Sequence, residues 1–447
     1  MGSQVLETGA YPAAFEAFEK ALFPSSLAWT APLRRASMDA FRALGFPTTR
    51  DEEWRYTSVA PIAALPYGVS PRPLNGAGAR GADPAAPLVP DGAVRLVFVN
   101  GHFAADRSHA VGVPAGAVVT SLAAALESHR PLVEPHLGRL ADSRHHAFTA
   151  LNTAFMTDGA FVHVPPGMAL PSPVYLVFIS SPGSGANASH TRNLIVAGDG
   201  AQVSLVEVHT GAGAAAGFTN AVTEIVVGGA ASVEHCRIGH ESERSYHVST
   251  LQAELARSAA FTSHSFALGG AIVRHDVNAV LAGDGADATL NGLYVLGGAQ
   301  HVDHHTTIDH ASPNGSSREL YKGVLDGRSR GVFDGKIIVR PDAQKTDARQ
   351  VNRNLILSEE ALVDSKPQLE IRADDVRCTH AATIGQLDPE MLFYLRSRAV
   401  DEAEARGMLM HAFVSDVVSR VKHESVRASL ESLLAAKLGA RGGGRTA

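Results

Sequence analysis

The sequence predicts a mainly β protein whose core is a parallel β-helix, with helical regions before and after it. Two observations carry this. From Gly159 onward, short runs rich in Val, Ile, Leu and Thr alternate with glycine-containing turns, as in VYLVFIS, NLIVAGDGAQVSLVEVHTG and AVTEIVVGGAASVEHCRIG. No long amphipathic helix separates these runs, which argues against a doubly wound α/β fold. Turn-like stretches near Gly200, Gly229, Ala259 and Gly285 recur at about thirty residues, and those at Arg330 and Glu360 resume that spacing after a longer gap. Self-similarity of this size is what a solenoid produces, each coil burying its apolar face on the next. A β-sandwich is the competing fold, kept open by Asp-Gly pairs of the kind that close two-residue hairpins: Asp199-Gly200, Asp284-Gly285, Asp326-Gly327 and Asp334-Gly335.

Residues 1–64 read as an N-terminal helical arm. Phe15, Phe18, Ala21 and Leu22 recur at helical spacing, and a second pattern runs from Pro32 through Met38, Phe41 and Leu44 to Gly45, a residue that stops a helix. The following GFPTTRDEEWRYT places Trp54 and Tyr56 on either side of Arg55, an aromatic anchor for the arm. Residues 65–92, rich in Pro, Gly and Ala, form a linker. Residues 93–158 are a mixed α/β lead-in, with a buried strand at RLVFVN and helices at 122–127 and 144–156. The β-helix spans 159–387. At 388–438 a helical domain follows, opened by Asp388 as N-cap and Pro389 at the first helical position. Its pattern runs through Met391, Leu392 and Leu395, then Met408, Leu409, Phe413, Val417 and Val421, then Val426, Leu430, Leu433 and Leu434. A disordered tail is expected at 439–447.

Composition removes several function classes. A net charge of −6 without a long basic run makes nucleic acid an unsuitable partner. Two cysteines, Cys236 and Cys378, cannot build a disulfide framework, so a reducing compartment is expected. The N-terminus lacks a basic segment followed by an apolar one, and no apolar run approaches about 18 residues, so neither a signal peptide nor a membrane span is expected. Cytoplasm is the default. Neither a P-loop nor a dinucleotide-binding glycine motif is present, and there is no G-x-S-x-G elbow or H-E-x-x-H helix.

Chemistry concentrates at VRCTHA. If that run is a strand, a period of two sends Cys378 and His380 to one face. Thiol and imidazole together suit iron, zinc or an iron–sulfur cluster, yet two ligands do not close a coordination sphere. The pair reads as half of a site that another chain completes. Cys236, beside His235 on an alternating strand, reads as a small buried hydrophobe. Two enzyme readings compete. In HVDHHTTIDH, Asp303 and His305 share a strand face, joined by His301 if the strand is regular, as a mononuclear metalloenzyme would need. A β-helix carbohydrate-active enzyme would set Asp326, Arg328 and Lys336 in one groove.

The stretch SRELYKGVLDGRSRGVFDGKIIVRPDAQKTDARQVNRNLILSEEALVDSKPQLEIRADDVRCTHAATIGQLDPEMLFYLRSR resembles the core of the SufB/SufD family of iron–sulfur cluster assembly proteins. GFPTTRDEEWRYT, LVFVNGHF and ALNTAFMTDGAFVHVP extend the resemblance over most of the chain. KPQLEI and the Cys-x-His-x-Ala-Thr pattern are most like SufD, with Thr379 and Ala381 where Ser and Gly are more usual. The resemblance implies a right-handed parallel β-helix with helical ends, acting as a non-catalytic cytosolic scaffold. It implies a heterodimer with a SufB-like paralogue through the β-helix and docking of a SufC-like ATPase on the C-terminal helices, where Met408, Phe413 and Val417 are the candidate contacts. A homodimer is the expected alternative when the paralogue is scarce. By position, His380 is implied as a ligand of a transient cluster shared with the SufB-like partner, with Cys378 beside it. Such a complex can hold a reduced flavin, although no residue of this chain indicates one, and the isolated chain is expected to hold no cofactor.

Overall fold

The computed structural model describes residues 9, 11–22, 25–65, 68–69, 84–181, 187–211 and 217–442. Most of the expected linker and residues 443–447 of the expected tail lie outside the described residues, and helix Glu424–Gly442 runs past Leu438 into that tail.

Two ten-stranded sheets make up the body, and consecutive strands of the coil alternate between them. The first sheet carries, in order, Asn187–Ala197, Phe218–Val227, Tyr246–Leu255, Ile272–Leu281, His301–His310, Arg330–Val339 and Leu362–Ile371. The second carries Val174–Ser180, Gln202–Gly211, Ser232–His240, Ala260–Ala267, Asp287–Leu296, Ser316–Leu325, Asp347–Ile356 and Arg377–Gly385. All of these pair in parallel with their sheet neighbours. Residues in register lie from 26 apart (Tyr246 with Ile272) to 32 apart (Arg330 with Leu362). The chain is therefore a parallel solenoid. Alternate side chains such as Ile225, Ala253, Ala279 and Ile308 stack in its interior.

The expected turn row is real and has no gap. At one edge each coil carries a single residue with a left-handed backbone: Gly200 (φ 68°), Ala230 (54°), Ser258 (55°), Gly285 (68°), Asn314 (58°) and Lys345 (61°). Each donates its N–H to the next turn, for example Ala230 to the Arg257 carbonyl at 2.8 Å and Lys345 to that of Asp375 at 2.6 Å. Arg330 and Glu360 belong to the opposite edge. Three Asp-Gly pairs sit in turns between the two sheets, and Asp199 Oδ1 accepts the N–H of Gly229 one coil on at 2.7 Å. Asp334-Gly335 lies inside a strand. None closes a hairpin, which removes the sandwich alternative. A left-handed alanine carries a steric cost that glycine avoids. Ala230→Gly is thus expected to raise stability by about 0.5 kcal/mol, read as a higher thermal midpoint; a lowered midpoint would contradict the strain.

Helices Tyr11–Leu22, Ala31–Leu44 and Ala147–Phe155 bring Phe15, Phe18, Phe41, Phe148 and Phe155 into one aromatic cluster over the outer face of the first sheet. Gly45 stops the second of them as expected, with φ 65° and its N–H on the Phe41 carbonyl. The anchor motif behaves as its residues predict. Trp54 packs on Phe148, and the Arg274 guanidinium lies 3.9 Å from the centre of the indole ring.

On the outer face of the second sheet, helices Glu402–Val418 and Glu424–Gly442 bury Met410, Val414, Val417, Leu430 and Leu434 against Val206, Ile238, Phe266 and Val324. Lys322 holds the first of these helices through Asp416 at 2.9 Å and the Phe413 carbonyl at 3.0 Å.

The two ends of the solenoid differ. Short antiparallel strands, His102–Phe103 and Val118–Ser121, cover the first end. At the other end Leu362–Ile371 and Arg377–Gly385 have no further strand beside them among the described residues.

Candidate functional site

Cys378 and His380 lie on strand Arg377–Gly385, in the last coil. Their register partners are Ala348 and Gln350, both fully buried inside the preceding coil. The parity of the strand thus turns both side chains toward the mouth of the solenoid. His380 is exposed there, whereas Cys378 is half-buried against Ile337, Val339, Ala343 and Ala348. Burial raises the Cys378 thiol, assisted by the nearby Asp347 carboxylate, so it is protonated at neutral pH and would release its proton on binding metal.

The column of inward-facing residues behind His380 changes character along the solenoid. It runs Leu205, His235, Ser263, Leu290, Glu319, Gln350 and then His380. Gln350 Nε2 donates to Glu319 Oε2 at 2.6 Å. Burial pushes the Glu319 carboxyl up to about 7, against the pull of Thr306 and Gln350. Farther in, burial lowers His304 to about 3 and His247 to about 4, so these imidazoles are neutral. Glu319 and Gln350 escaped the sequence reading because a buried polar residue in an alternating strand looks like one that faces solvent.

His301, Asp303 and His305 do converge on the outer face of the first sheet: His305 Nε2 lies 3.0 Å from Asp303 Oδ1, and Thr57 binds both His301 and Asp303. Arg274 occupies the middle of the group, 3.0 Å from Asp303 and 3.2 Å from His305. A buried guanidinium repels a metal cation, and the cluster instead fastens the N-terminal arm. Among the described residues no group of three His, Cys, Asp or Glu is arranged to hold a metal ion. Asp326 and Arg328 sit in a turn, whereas Lys336 is seven positions into strand Arg330–Val339, on the order of 20 Å along it. The three do not share a groove. Cys236 is buried beneath the C-terminal helices, and burial pushes its thiol well up, as a small hydrophobe's position demands. His235 faces the other way, toward Ser263 and Glu207.

Of the candidate partner contacts, Met408 is 49% exposed and Phe413 is half-buried beneath Lys322. Val417 is fully buried and has no surface to offer a partner, because it packs on the sheet. Helix Pro389–Arg396, expected from the spacing of Met391, Leu392 and Leu395, buries none of its apolar residues. Asp388 caps it as expected, accepting from the N–H of Glu390 at 2.9 Å. Its Phe393 is 74% exposed and, with Met391 and Tyr394, lines a groove of about 850 Å³. Among the described residues no helix is long and apolar enough to cross a membrane.

Comparison with known proteins bears on this arrangement. The SufBD core domain of the SUF system for FeS cluster assembly matches residues 178–413, and the SufBD protein N-terminal region matches residues 7–176. An iron–sulfur cluster assembly SufBD family protein of Synechocystis sp. (strain ATCC 27184 / PCC 6803 / Kazusa) is 31% identical over 416 residues, 90% of each chain. The iron–sulfur cluster assembly protein SufD of Escherichia coli (strain K12) is 30% identical over 414 residues, 91% of this chain and 92% of its own. SufD of Bacillus subtilis (strain 168) is 31% identical over 334 residues, 72% of this chain and 74% of its own. A solenoid with one open rim, flanked by helices on both faces and matched over 90% and 91% of its length by the first two of these relatives, places the chain in the SufBD family of iron–sulfur cluster assembly proteins.

Proposed function

We propose that the chain is a non-catalytic, SufD-like scaffold subunit on which an iron–sulfur cluster is assembled as cargo, and that His380, with Cys378 beside it, supplies its share of the ligands. The observation that supports this reading is the open last coil. Two strands of ten and nine residues present edges unpaired among the described residues, with Leu362 58% exposed and Ile384 51% exposed. Long uncovered edges of this kind invite pairing with another chain. Cys378 and His380 lie at that rim, so a chain docking there meets them directly. A SufB-like paralogue, bringing the missing ligands, is the partner that fits an incomplete thiol–imidazole pair.

The second partner is a SufC-like ATPase. The exposed apolar surface of the C-terminal helices, Met391, Phe393, Tyr394 and Met408, is the face for it, with the edge of Phe413 contributing. Cytoplasmic placement accords with two unpaired cysteines.

The test is co-expression of this chain with a SufB and a SufC, followed by anaerobic reconstitution. His380→Ala is expected to reduce cluster formation to background while the three proteins still co-purify. Unchanged cluster yield would remove His380 from the site; loss of the complex would make it an assembly residue instead.

A further inference from the structure

Gln350 is fully buried and in register with His380 on the adjacent strand, so the two side chains leave neighbouring strands about 4.8 Å apart in the same direction. Its amide is held at one end only. Nε2 donates to Glu319, which leaves Oε1 buried and without a protein partner among the described residues. Leaving a buried carbonyl unpaired costs about 1–3 kcal/mol, so an arrangement that does so requires a reason. The opposite sheet is cut away to admit this amide. A Cβ on Gly335 would stand 2.2 Å from Gln350 Nε2, so any side chain there would displace it. Both sheets therefore shape one orientation of Gln350, on the inner side of the exposed imidazole.

We propose that Gln350, braced by Glu319 and admitted by Gly335, is a positioning residue whose Oε1 accepts the ring N–H of His380, fixing its tautomer and turning the other nitrogen outward for iron. A neutral imidazole ligates through its one lone pair, and the group on its N–H decides which nitrogen that is. The inference rests on the reading of His380 as a ligand, but its first test does not.

Full-length chain carrying ¹⁵N-labelled histidine reports the tautomer of each ring in the alkaline range, the His380 signals being those lost in His380→Ala. One tautomer is expected for His380 in the native chain. Gln350→Leu, which removes the acceptor at similar volume, should give a mixture of both forms. Gly335→Ala should do the same by displacing an intact amide, a second route if Gln350→Leu folds poorly. Gln350→Glu, sharing a proton with Glu319, keeps an acceptor and should restore the native pattern. In the complex with SufB and SufC, Gln350→Leu should lower cluster yield about tenfold and Gln350→Glu should recover it. His380 signals unchanged in both Gln350→Leu and Gly335→Ala overturn the positioning role. Altered signals alongside a cluster yield indifferent to His380→Ala keep the positioning role and instead remove the ligand assignment.

Discussion

Glu224→Ala is expected to cost the folded chain about 3–5 kcal/mol. Glu224 and Arg192 are both fully buried and meet at 2.6 Å. The carboxylate also accepts the backbone N–H groups of Gly138, Leu140 and Ala141 at 2.8–3.0 Å. Arg192 in turn donates to Asn152 and Thr153 of helix Ala147–Phe155. One ion pair thus fastens the lead-in to the solenoid. Removing the carboxylate strands a guanidinium and three amides in a dry interior, where each lacks water as a substitute. Thermal unfolding should show a lower midpoint, and proteolysis should attack the 138–146 loop first. Arg192→Met combined with Glu224→Ala should lose about 2 kcal/mol less than the two single changes summed. Strict additivity would show that the pair does not act as a unit.

The second large effect depends on pH and centres on Glu319. Its carboxyl ordinarily titrates near 4.5 and is lifted to about 7 in the folded chain by burial. The groups facing it are Thr306 across the interior, Gln350 on the next strand, and Tyr321 on its own strand. The folded state therefore holds this proton more tightly than the unfolded state. Between about 4.5 and 7 folding takes up a proton, and stability falls as pH rises; above 7 the loss is complete. The lost contribution is about 3 kcal/mol. Glu319→Gln stays neutral and still accepts from Gln350, so it escapes this loss. Its stability relative to the native chain should climb across that interval by about 3 kcal/mol, which denaturant midpoints at pH 5 and pH 8 would show. A constant difference would mean that Glu319 ionises without penalty.

Much of the architecture was legible because the solenoid repeats its own demands. Runs of Val and Ile, turns at thirty-residue spacing and the helix signals at Gly45 and Asp388 each act locally, and local chemistry can be read along a chain. The apparent gap in the turn row came from its occupants. Asn314 and Lys345 take the left-handed position that Gly200 and Gly285 advertise, and a lysine there gives no warning. Helix Pro389–Arg396 was legible as a helix from Met391, Leu392 and Leu395, but only the fold reveals that none of its side chains is buried. Val417, one of the candidate contacts, is buried against the sheet, since helical periodicity names a face without saying which body it meets. At the site, the alternation that united Cys378 with His380 was visible within three residues. Gln350 and Glu319 were not, because their relation to His380 arises from pairing across about thirty residues each.

The unequal ends of the body would limit an assembly built through the proposed rim. Docking as proposed would use up this chain's open rim, and the far end, closed by strands of two and four residues, offers little for a third molecule to extend. Under that proposal stacking would end at a pair, whether the mate is a paralogue or an identical copy, and no filament would propagate through the rim.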